Sequence, residues 1–85
     1  MFEIFLTRTF ASELKKLQKH EISRIKKKLI SISENPFLFF ERLHGTKLFK
    51  LRIGKFRVVA SINSFDKKIT CVSVALRKKI YKKLK

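Results

Sequence analysis

Two stretches of alternating apolar and polar residues meet at Gly54-Lys55, and no other feature limits the path of this chain so strongly. Phe49, Leu51 and Ile53 alternate with Leu48, Lys50 and Arg52; beyond the glycine, Phe56, Val58, Ala60 and Ile62 alternate with Arg57, Val59 and Ser61. A period of two is the mark of a strand with one buried face. A two-residue loop containing glycine joins such strands as a tight hairpin, because glycine tolerates the backbone angles the turn requires. In that register Ile53 faces Phe56, Arg52 faces Arg57, Leu51 faces Val58 and Lys50 faces Val59. The large apolar residues then share one face, and Lys50, Arg52 and Arg57 share the other. Directly opposed arginines destabilise a strand pair, so local stability does not explain the pattern. Either this is a solvated polar face or it is a face for a ligand.

The first half of the chain has other periods. Phe2, Ile4 and Leu6 alternate as a short strand. Thr7 or Thr9 can cap a helix in which Phe10, Leu14 and Leu17 fall on one side, with Glu13 favouring its positive end. Ile22, Ile25, Leu29 and Ile32 mark a second helix, which Asn35-Pro36 stops. A third alternating run, Ile69 to Leu76, puts Val72, Val74 and Leu76 on one face. It puts Cys71, Ser73 and Ala75 on the other, in phase with Arg77 and the small floor of the basic face. A short helix or tail, Arg77 to Leu84, closes the chain. The expected fold is α+β: a small antiparallel sheet, made of an N-terminal strand plus a C-terminal three-stranded meander, with two N-terminal helices packed on one face.

The length of 85 residues suits a single domain, 1–85, with one modest core. Lys and Arg number 22 against 6 Asp and Glu, a formal net charge of +16. Thermophile-type surfaces pair Lys with Glu in networks; here the acids are missing, and the implied partner is an external polyanion. Apolar stretches such as Phe37 to Phe40 fall far short of a membrane span, and the first residues lack the pattern of a signal peptide. Cys71 alone provides neither a disulfide framework nor a metal site. A cytoplasmic protein without membrane, metal or cofactor is the expectation.

An open basic face with a small-residue floor suits cleavage of RNA by its own 2′-hydroxyl. Arginines grip the phosphate with forked hydrogen bonds, and Lys50 or Tyr81 can move protons. Lys47, His44, Lys78 and Lys79 are candidates for further RNA contact. His44, beside a turn glycine, also reads as structural, as does His20 at the inter-helix loop. Cys71 reads as a small strand residue. Phe37, Phe39 and Phe40 suit core or loop anchoring, or a partner-binding patch. The lysine runs at 26–28 and 78–83 read as solvated faces that attract nucleic acid without specificity.

Asn35-Pro36, Leu43-His44-Gly45, Phe49-Lys50-Leu51-Arg52-Ile53-Gly54, Phe56-Arg57-Val58-Val59 and Arg77-Lys78-Lys79-Ile80-Tyr81 together resemble the RelE/ParE toxin superfamily, and its RelE-like messenger-RNA interferase branch in particular. The resemblance spans nearly the whole chain and implies a type II toxin held by a cognate acidic, RelB-like antitoxin. It implies ribosome-dependent, metal-independent cleavage of mRNA in the A site. By position, Lys50 matches a catalytic lysine, Arg57 and Arg77 match phosphate-stabilising arginines, and Tyr81 matches a C-terminal tyrosine near the attacking hydroxyl. Arg52 matches a commonly basic position. Leu48 stands where some members carry a second lysine, and Arg77 to Tyr81 is a shorter spacing than some members have. Two other readings stay open: a ParE-like toxin that inhibits a topoisomerase, and a non-catalytic RNA- or ribosome-binding module.

Overall fold

The structure, a computed structural model, describes residues 1–76. Thr7 is the hinge between the first strand, β1 (Glu3–Leu6), and the first helix, α1 (Arg8–Lys15). Its hydroxyl accepts from the Phe10 amide at 3.1 Å and donates to the Val72 carbonyl at 3.0 Å, so one side chain caps the helix and ties it to the sheet. Helix α2 (Lys19–Ile32) follows, then a 3-10 turn (Pro36–Leu38), β2 (Glu41–Arg42), β3 (Phe49–Ile53), β4 (Phe56–Asn63) and β5 (Lys68–Leu76). The apolar stripes lie where their spacing puts them: α1 buries Phe10 and Leu14, and α2 buries Ile25, Leu29 and Ile32.

The α2 N-terminus is held by Glu21, whose Oε1 accepts from the Gln18 amide at 3.0 Å while Oε2 lies 3.4 Å from Lys55 Nζ. The Gln18 amide above all, with Lys55 adding to it, holds the Glu21 carboxyl below its ordinary 4.5, against a smaller opposing effect of burial. A depressed folded-state pKa means stability present above 4.5 and lost as pH falls through the folded value. Glu21→Gln should therefore flatten the dependence of the thermal midpoint on pH below about 4.5. An unchanged acid limb in the variant would disprove this coupling.

The sheet has the order β1-β5-β4-β3-β2. The meander β3–β4–β5 is antiparallel, as its period implies. Strand β1 joins it parallel to β5, with Glu3 opposite Lys68 and Leu6 opposite Cys71, so the sheet is mixed where alternation alone implied an antiparallel one; β2 adds a short second edge that periodicity did not reveal. The core lies between the helices and one sheet face, where the helix stripes meet Leu51, Ile53, Phe56, Val58, Ala60, Ile69, Cys71 and Val74. Leu43 and Val59, with Leu48 and Ala75, form a small second cluster.

Two expectations are corrected here. Cys71 is fully buried in the helix-side core, away from Ser73 and Ala75. Val59 pairs with Ser73 but Ala60 pairs with Cys71, so Val72 is an extra residue, a β-bulge that reverses the phase of alternation. Burial pushes the Cys71 thiol up to about 12, the state of a packing residue. Glu13 does not serve the helix terminus. Its Oε1 accepts from Ser73 Oγ at 2.8 Å and from the Val74 amide at 3.1 Å, on the part of β5 that extends past the end of β1. The carboxylate takes the place of the missing strand, which satisfies an otherwise orphaned donor.

Candidate nucleic-acid interface

The hairpin at Gly54-Lys55 has the anticipated register, with Lys50 opposite Val59 and Arg52 opposite Arg57. Gly54 has φ +59°, the angle that makes glycine the suited residue at the first loop position. An L side chain there would also place its Cβ 2.9 Å from Nη1 of Arg24, whose guanidinium lies against the turn.

Lys50, Arg52 and Arg57 line one cleft of about 400 Å³ together with Lys28, Phe39, Glu41 and Leu51. Strand β2 pairs only with Phe49 and Lys50, so β3 runs on past it towards the hairpin. Arg57 is only 8% exposed, whereas Arg52 is open to solvent and Lys50 is half-buried. Among the described residues, four cations and a single carboxylate, Glu41, border the space. Directly opposed arginines repel one another, and a phosphate offers acceptors that both guanidinium forks can share. Arg52→Gln should accordingly raise stability by roughly 0.2–1 kcal/mol while weakening binding to a single-stranded RNA. A thermal melt and a titration give the two signs, and a loss of both would show that the pair is not strained by like charge.

Lys28, Phe39 and Glu41 were not anticipated as parts of the site. Lys28 Nζ sits 5.1 Å from the centroid of the Phe39 ring, a cation–π pair that joins α2 to the segment after the 3-10 turn. Glu41 stands opposite Lys50 across β2 and β3. The aromatic cluster divides its work: Phe40 is core, Phe37 meets Phe2 and Phe49 edge-on, and Phe39 borders the cleft. His44 and Lys47 are exposed on the loop between β2 and β3, which Thr46 closes through its Leu43 and Leu48 backbone bonds; neither lines the cleft. Arg77, Lys78, Lys79 and Tyr81 lie outside the described residues. Among the described residues no three or more His, Cys, Asp or Glu side chains gather as a metal site, and no helix is long and apolar enough to cross a membrane.

No protein-family model matches the chain, and no curated protein matches it in sequence. Solved structures do. A chain of the RelBE2 toxin–antitoxin complex from Mycobacterium tuberculosis superimposes with a TM-score of 0.81 at 19% identity, over 89% of this chain and 98% of that one. The fold is that of the RelE toxins. The isolated E. coli RelE toxin matches with a TM-score of 0.78 at 20% identity, over 99% of this chain and 95% of that one. A YoeB/ParE toxin from Agrobacterium tumefaciens has the same architecture, with a TM-score of 0.74 at 13% identity over 89% and 99% of the two chains. The RelE-like sheet is thus a scaffold common to differently named toxins, and what it does here has to be argued from its cleft.

Proposed function

We propose that this chain is the toxin of a type II toxin–antitoxin pair, a cytoplasmic endoribonuclease that cuts mRNA in the ribosomal A site without a metal ion. The observation that carries this reading is the convergence of Lys50, Arg52, Arg57 and Lys28 with the carboxylate of Glu41 in a cleft of the RelE-like sheet.

In-line cleavage needs three services. A base removes the proton of the 2′-hydroxyl, and the oxygen attacks the adjacent phosphorus. The bond to the 5′-oxygen breaks, that oxygen takes a proton, and a cyclic phosphate remains. Glu41 and Lys50, opposite one another, are the pair in the cleft suited to accept and return protons. Arg52 and Arg57 hold the non-bridging oxygens as charge gathers on them. The family resemblance assigns Arg77 and Tyr81 to the same phosphate and hydroxyl. The net charge of +16 and the toxin–antitoxin complexes among the structural neighbours support an acidic, RelB-like antitoxin as the resident partner. Ribosomal and messenger RNA meet the same charge.

Primer extension on a translated message tests the reading. Wild type should produce truncated products that Lys50→Ala abolishes. Intact message on translating ribosomes, with inhibited gyrase supercoiling, would replace this reading with a ParE-like one; intact message with salt-sensitive ribosome binding alone would leave a binding module.

A further inference from the structure

A second basic hollow adjoins the cleft. The groove between α2 and the β3–β4 hairpin, about 470 Å³, is bordered by Arg24, Lys27, Lys28, Ser31, Arg52 and the turn at Gly54. Among the described residues no carboxylate lines it. Lys28 and Arg52 border both spaces, so the two adjoin across these side chains. Arg24 and Lys27 project from α2 three residues apart, which sets them side by side along one helical face. The bare Cα of Gly54 lets the Arg24 guanidinium lie against the turn, with the nearest nitrogen 2.9 Å from where a Cβ would stand. A guanidinium held in this way has less freedom to lose on gripping an anion.

We infer that this groove carries the sugar-phosphate backbone of RNA beyond the nucleotides seated in the cleft, so that α2 and the hairpin form a track leading away from the reacting phosphate. The inference rests on the RNA reading of the cleft and extends it. Charge alone would also suit an acidic protein. Adjacency to the cleft favours RNA, since one strand passing Lys28 and Arg52 would reach both spaces. The backbone belongs either to the cleaved strand or to a structured RNA presenting it.

Binding of a tetranucleotide and of a single strand roughly fourteen nucleotides long separates the spaces, with Arg24→Ala/Lys27→Ala compared against wild type. Affinity for the longer strand should fall by roughly an order of magnitude, and its log–log salt slope should shrink by about 1.4, two contacts at about 0.7 each. Affinity for the tetranucleotide should stay as it is. The charge-matched Lys19→Ala/Lys26→Ala variant, at two α2 lysines that do not border the groove, should lose much less. Equal losses in the two variants, or none in the first, would overturn the track. So would weaker binding of a polyglutamate peptide with RNA binding intact, which would assign the groove to an acidic protein. Retention of the length effect only on a folded hairpin RNA would identify structured RNA as the source. Failure of the cleavage reading is distinct: wild type would leave message intact on ribosomes while the length-dependent loss persisted.

Discussion

Arg57→Ala should slow RNA cleavage by about two to three orders of magnitude, the cost of removing one preorganised donor from a phosphate that gathers charge. Arg57 leaves β4 opposite Arg52 and is nearly buried at the cleft wall, which limits the freedom of its side chain. On the ribonuclease reading, such a donor would serve the transition state more than the ground state. RNA affinity should consequently fall far less than the rate, with a salt slope smaller by about 0.7. Arg57→Lys restores a charge without the planar fork and should recover only part of the rate. Single-turnover cleavage on translating ribosomes measures these rates, and the thermal midpoint of each variant shows that the fold has survived. A folded Arg57→Ala protein with wild-type cleavage would remove the arginine from the chemistry.

Phe10→Ala should be the most damaging single truncation for stability. The ring is fully buried in the cluster that joins both helices to the sheet. Removing it forfeits transfer free energy and leaves a void that rigid strands cannot close, about 3–5 kcal/mol in all. Against a total of about 5–15 kcal/mol for a folded domain, that is a large share. The midpoint should fall by roughly 12–40 °C, at about 4–8 °C per kcal/mol for a domain of this size. A high density of like charge leaves little reserve to absorb the loss. A drop of only a few degrees would mean that α1 contributes less to the core than its burial indicates.

The hairpin, its register and the helix stripes are legible in the order of residues alone. Each depends on neighbours a few residues apart: a two-residue glycine loop aligns the flanking strands, and alternation then assigns every side chain to a face. Hence the apposition of Arg52 with Arg57, and the burial of Ile25, Leu29 and Ile32, were readable in advance. Tertiary structure decided the rest. The bulge at Val72 sends Cys71 into the core because strand partners, not the local pattern, set where an extra residue is tolerated. Glu13 completes a strand 60 residues away in sequence, and no local spacing announces such a bond. Lys28, Phe39 and Glu41 reach the cleft from a helix, a turn and a two-residue strand, elements whose juxtaposition follows from packing across the sheet. A hairpin is a contract between adjacent residues, whereas a cleft is built by segments that meet only after the core has formed.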